Sequence, residues 1–225
     1  MQAGIIALLV GTLVAGAIGI AVMGLRQRRR TSVLAAWAHA KGMRFSPDDP
    51  FDIPRRYADF SIIRGGHSPC VHNITYGQRS GLPIRAFDFR YEVGHGTSRL
   101  TRHYNVLLIE RDAPVPAVLM WNAHDPESAP LEARAGTETL ACWTVSGDKA
   151  RAGGLGFACS ELADLGVSLQ AAGRTLMLFA SGRRDVKVYE RMLEVADTAI
   201  RAMGPGSDAS RSPAAENVAN AAPGH

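Results

Sequence analysis

The stretch from Ala3 to Leu25 limits what this chain can become. It reads AGIIALLVGTLVAGAIGIAVMGL, carries no charge, and runs straight into Arg26-Gln27-Arg28-Arg29-Arg30. As a helix rising about 1.5 Å per residue it covers roughly 35 Å, enough for a hydrocarbon core of about 30 Å with modest tilt. A transmembrane helix is expected, with the lipid bilayer as its first partner and the rest of the chain tethered to it.

The order of charges predicts sidedness. A cleaved secretory signal puts positive charge ahead of a shorter apolar core. Here only Met1 and Gln2 precede the run, and the arginines follow it. Ala15-Gly16-Ala17 imitates a cleavage site, but with the charge order reversed. The positive-inside rule places Arg26, Arg28, Arg29 and Arg30, and all that follows, in the cytoplasm. The amino terminus then lies outside the inner (plasma) membrane. The alternative is a signal-anchor of opposite orientation, exposing the domain. The arginines either hold anionic headgroups, at about 1 kcal/mol each, or act only as a topology signal. Ala7, Gly11, Ala15 and Gly19 recur every fourth residue, a spacing that lets two membrane helices approach closely and predicts a homodimer. The plainer reading is that Gly and Ala are common in membrane helices.

The net charge is +4, and Arg26, Arg28, Arg29 and Arg30 alone account for it. A nucleic-acid binder carries its basic surplus on the folded part, so no nucleic-acid partner is expected. The three cysteines, Cys70, Cys142 and Cys159, are dispersed and odd in number. That excludes a small disulfide scaffold and suits reduced thiols in a cytosolic domain.

The expected organisation is an anchor with a basic stop over 1–30, one cytoplasmic α+β domain over 31–203, and a disordered Ala/Ser/Pro/Asn-rich tail over 204–225. Thr31 and Ser32 are expected to cap a short helix, VLAAWAHAK, closed by Gly42. Within it Trp37 faces either the domain core or the lipid interface. Asp48, Asp49 and Asp52 sit among three prolines, where turn chemistry explains them better than an oxygen-ligand cation site. Tyr57 to Ile63 predicts a helical turn followed by a strand. A period of two then predicts strands at Val71–Tyr76 and Pro83–Glu92. In the second of these, Ile84, Ala86, Asp88 and Arg90 alternate with Arg85, Phe87, Phe89 and Tyr91. His103–Glu110 is more continuously apolar and reads as a central strand. Val118–Trp121 and Glu138–Ser146 follow, then a hairpin over 167–180 and an amphipathic helix over 185–203. The expected fold class is α+β: an antiparallel meander plus a C-terminal hairpin, packed by the C-terminal helix.

The densest cluster of ligand-type side chains is His67-Ser68-Pro69-Cys70-Val71-His72. A strand starting at Cys70 puts Cys70 and His72 on one face, and His67 folding back would make a three-ligand zinc site with an open position. The spacing fits no standard zinc motif, and the plainer reading is a turn feeding a strand with Cys70 buried. No cofactor is predicted. His95, His103 and Asp88 suit acid–base chemistry, yet nothing in the sequence fixes their geometry. There is no Gly-x-Ser-x-Gly elbow, and Gly153-Gly154-Leu155-Gly156 lacks the residues of a phosphate loop.

Tyr57-Ala58-Asp59-Phe60, Asn73-Ile74-Thr75-Tyr76-Gly77, Phe87-Asp88-Phe89-Arg90-Tyr91 and Leu178-Phe179-Ala180-Ser181-Gly182-Arg183 follow the anchor in that order. The arrangement resembles an uncharacterised family of bacterial single-pass, membrane-anchored α+β proteins with an N-x-x-x-G and F-D-[FY]-x-Y signature. The resemblance implies an α+β domain over most of 31–203 and carries no activity. Asn73, Gly77 and Asp88 read as turn and strand-end residues rather than catalysts. The functional expectation is a non-catalytic binding or scaffolding protein that offers an open sheet face and the Gly94–Ser98 loop to a protein or lipid partner. The alternative is a membrane-tethered hydrolase or metal-dependent enzyme using the His/Cys cluster. The orientation has a direct check: protease added to intact spheroplasts leaves the domain intact if it is cytoplasmic, and digests it if the anchor is reversed.

Overall fold

A computed structural model describes residues 2–123, 138–140, 143–148, 152, 164–182 and 185–202. The predicted membrane helix and the short helix after it are one rod, α1 (Gln2–Ala40). No cap forms at Thr31 or Ser32, because neither Gly nor Pro interrupts the chain between Leu25 and Lys41. The Thr31 hydroxyl lies 3.1 Å from the Gln27 carbonyl and 2.9 Å from Asn73 Oδ1, sharing its hydrogen between them. Gly42, at φ 68, ends the rod as expected. Leu13, Ile20 and Met23 are each about three-quarters exposed. Among the described residues α1 is the one helix long and apolar enough to cross a membrane.

The strands are β1 (Arg44–Ser46), β2 (His67–Arg79), β3 (Leu82–Val93), β4 (Leu100–Glu110), β5 (Val118–Asn122), β6 (Glu138–Leu140), β7 (Trp143–Gly147), β8 (Val167–Ala172) and β9 (Thr175–Ser181). Two one-turn helices, α2 (Ile53–Arg56) and α3 (Ser61–Arg64), precede β2, and α4 (Val186–Ala202) ends the fold. The chain is therefore α+β, with an antiparallel sheet, a C-terminal hairpin and a C-terminal helix. The sheet order is β1-β2-β3-β4-β9-β8-β5-β7-β6, every pairing antiparallel. The meander thus holds only through β4; the β8–β9 hairpin then inserts between β4 and β5. The strand expected near Ile63 is replaced by α2 and α3. Asp49 starts this segment, its carboxylate accepting from the Phe51 and Ile53 N–H groups at 2.9 and 2.7 Å. That is turn chemistry, as read from the prolines.

Alternation along β3, β4 and β9 feeds two cores instead of one. Ile84, Ala86, Leu107, Ile109, Leu176 and Leu178 face α1 and α4, where Leu34, Trp37, Tyr189 and Met192 cover them. Phe87, Phe89, Val106, Leu108, Met177 and Phe179 face away, beneath Ile53, Tyr57, Phe60, Ile62 and Ile63. The sequence leads to the expectation of an open sheet face; along β3, β4 and β9 both faces are covered instead. Burial on both sides explains why β4 and β9 read as near-continuous apolar runs. Trp37 goes to the core, 5.7 Å from the Tyr189 ring. In α4, Val188, Met192, Val195 and Ala196 are buried as the helical period predicts. Cys142, Cys159, the Gly153–Gly156 turn, Met203 and the tail over 204–225 lie outside the described residues.

Candidate functional site

Cross-strand register assembles the site. His72 stands opposite Asp88 and Asp88 opposite Asn105, while Arg90 pairs with both Cys70 and His103. Directly paired residues share a face, so His72, Asp88, Arg90, His103 and Asn105 form a polar extension of the apolar face under α1. Ile84 and Ala86 lead into this extension along β3.

Asp88 is its knot. Arg30 on α1 grips the carboxylate with both arms of its fork, Nε to Oδ2 at 2.7 Å and Nη2 to Oδ1 at 2.5 Å. From α4, the Tyr189 hydroxyl donates to Oδ1 at 2.8 Å. From β2, Asn73 Nδ2 donates to Oδ2 at 2.9 Å, and Thr31 supports Asn73 in turn. A carboxylate offers about four lone-pair positions, and here each oxygen takes two donors. Such charge-assisted, bidentate contacts are roughly twice as strong as neutral ones. Burial pushes the Tyr189 phenol well above its ordinary value, and the neighbouring Asp88 charge adds to the shift, so Tyr189 remains a donor. Asn73 reaches the carboxylate because β2 bulges between His72 and Thr75, with Asn73 itself at φ 54. Asn tolerates this left-handed conformation better than most side chains. Asn73 and Asp88 thus hold mid-strand positions instead of turn or strand-end ones, while Gly77 lies two residues from the end of β2.

Beside the knot lies a cavity of about 760 Å³. Ile20, Met23 and Arg26 of α1 form one wall, and His72, Arg90 and His103 of the sheet form the other. The ten steps from Ile20 to Arg30 rise about 15 Å, so the cavity begins beside the apolar part of the anchor and ends at the ion pair. Arg30, read from the sequence as part of the topology signal, is committed to Asp88. Arg26, Arg28 and Arg29 remain exposed.

The His/Cys cluster divides. Cys70 Sγ and His72 Nε2 meet at 3.2 Å, on one face as expected. His67 instead stacks on His95, ring centroids 5.3 Å apart, with Nε2 4.0 Å from Glu92. The cause is a register shift between His67 and Cys70, with Ser68 at φ 54. Among the described residues no group of three or more His, Cys, Asp or Glu is placed to hold a metal ion.

A second charged cluster ties α2 to the sheet. Glu110 accepts from Arg85 Nη1 at 2.9 Å, Arg56 Nη2 at 3.0 Å and the Tyr57 hydroxyl. Burial raises the Glu110 carboxyl, but hydrogen bonds from Tyr57 and Arg85 outweigh it, and the net direction is down. The Tyr57 phenol is pushed up to about 12, by burial first and then by Glu110. Arg85 also lies 4.6 Å over the Phe51 ring.

The fold is similar to that of the mycobacterial trehalose monomycolate transport factor A, TtfA, with a TM-score of 0.56 and 13% identity over 80% of this chain and 97% of that chain. At that identity the likeness shows the fold. No family model and no curated protein matches the sequence.

Two measurements probe these clusters. In a double-mutant cycle of Arg30→Met and Asp88→Asn, read by thermal unfolding of the solubilised protein, the coupling is about 1–3 kcal/mol, as expected for contacting groups in one network. For Glu110, the fold holds the carboxyl below its ordinary 4.5. Its stabilisation is therefore present above that value and is lost as pH falls through the lower, folded value. Glu110→Gln is expected to cost about 2 kcal/mol near neutrality. It should also flatten the acid limb of the stability curve below about pH 5.

Proposed function

We propose that this chain is a membrane-anchored binding module without chemistry of its own, holding an amphiphilic molecule between its anchor and its sheet. The observation that carries this reading is the cavity walled by both α1 and the strands. A pocket for a water-soluble ligand needs no wall from the lipid-facing part of a helix. One built from Ile20 and Met23 on one side and His72, Arg90 and His103 on the other suits a molecule with an apolar and a polar end. The similar fold of a protein described as a trehalose monomycolate transport factor supports a transport-related role.

Further parts of the reading are that residues 31–203 act as one unit in the cytoplasm and that anchors pair through Ala7, Gly11, Ala15 and Gly19. The exposed Arg26, Arg28 and Arg29 support that orientation by the positive-inside rule. At Gly11 and Gly19 an added Cβ would meet nothing within 4 Å, so that part of the face has room for a second helix.

The competing reading, a hydrolase or metal-dependent enzyme, has one observation in its favour: the Cys70–His72 contact, an arrangement that can activate a thiol. Lipid extraction of the purified full-length protein separates the two. A binding module retains an amphiphile at about one per chain, and Cys70→Ala retains as much. An enzyme turns over an ester or amide substrate and loses that turnover in Cys70→Ala.

A further inference from the structure

The cavity beside the anchor carries more positive charge than its own carboxylate can balance. Three guanidinium groups, Arg26, Arg30 and Arg90, border it against Asp88. Both Asp88 oxygens are committed to Arg30, Tyr189 and Asn73, which leaves that carboxylate filled. Arg26 and Arg90 are exposed and both border the space, one from the helix and one from β3. His72 and His103 line it from the same sheet face. On the helix side the lining turns apolar away from the ion pair, at Ile20 and Met23, both exposed on the surface of α1.

A ligand matched to both ends has an anionic head with several acceptor oxygens and a tail that leaves along the anchor. The forked guanidinium suits phosphate geometry in particular. We propose that the cavity takes the headgroup of an anionic phospholipid, admitted sideways from the leaflet beside Ile20 and Met23, with Arg26 and Arg90 as its ligands. This inference rests on the binding-module reading and names the ligand for it. A volume near 760 Å³ accommodates a headgroup and its first methylenes, while the rest of the acyl chains stay in the bilayer. Free phosphate or glycerol phosphate shares the headgroup chemistry but has nothing to place against Met23.

The test uses the full chain in nanodiscs of phosphatidylcholine. These are doped with photoactivatable phosphatidylglycerol or with a photoactivatable uncharged diacylglycerol, and labelled peptides are located by mass spectrometry. Phosphatidylglycerol is expected to label the strand segments around His72, Arg90 and His103. Arg26→Gln and Arg90→Gln should each reduce that labelling about tenfold, the loss of one hydrogen bond to a charged group. Arg28→Gln should not reduce it, because Arg28 carries the same charge near the membrane but does not border the cavity. Arg90 is exposed, so its substitution leaves the cores intact, and an unchanged melting temperature verifies this. Unchanged labelling in Arg90→Gln overturns the proposal, as does an equal loss in Arg28→Gln, which marks attraction to the membrane surface in general. Protection by glycerol phosphate at the lipid's own concentration assigns the site to a soluble anion and likewise overturns it. Labelling by the uncharged probe alone removes the headgroup assignment while leaving the binding module standing. Labelling by neither probe removes both.

Discussion

One carboxylate holds the architecture together where the membrane segment meets the sheet. Asp88 gathers Arg30 from α1, Asn73 from the neighbouring strand β2 and Tyr189 from α4, so both helices and the adjacent strand converge on a single side chain of β3. Both members of the Arg30–Asp88 pair are about four-fifths shielded from water. Isolated ion pairs on a surface contribute little, and buried ones are limited by the cost of desolvation. This pair is different in its surroundings, because two neutral donors fill the remaining lone pairs. Taking away either ion would strand the other in a poorly solvated place. Below the knot, apolar packing continues through Leu34 and Trp37, and polar and nonpolar contacts together hold α1 against the sheet over several turns.

How much of this was legible follows from the range of each interaction. The phase of β3, with Ile84, Ala86, Asp88 and Arg90 on one side and Phe87, Phe89 and Tyr91 on the other, is a local property of a pleated strand and could be read directly. So could the central position of β4, from the unbroken apolar run at Val106–Ile109, and the stripe on α4. What covers each face is not local. The lid over Phe87 and Phe89 comes from Phe51 to Arg64, a segment with no clear helical period. The insertion of β8 and β9 beside β4 depends on pairings between residues about seventy apart in sequence, for which no short pattern exists.

The site was legible only in pieces. Cys70 and His72, two residues apart on a strand, share a face as spacing dictates. His67 left that group because a register shift and the left-handed Ser68 intervene, and neither has a composition signal. Arg30 looked interchangeable with its neighbours in a basic run; only its position on a continuous helix brings it, rather than Arg29, over Asp88. The best available hint was a charged residue in β3 where the helix-facing side had so far been Ile84 and Ala86. A carboxylate in such a place needs partners, though nothing nearby in sequence names them.

The unbroken passage of α1 from the membrane into the domain has a mechanical consequence. A flexible linker would let the folded part swivel over the lipid surface, whereas a helix transmits rotation as a shaft does. Each residue added to or removed from the span between Leu25 and Arg30 turns the shaft by about 100° and shifts it by about 1.5 Å. The compass bearing of the cavity mouth around the anchor is therefore set by residue count, and a second copy docked on the opposite flank of the rod would inherit a defined heading.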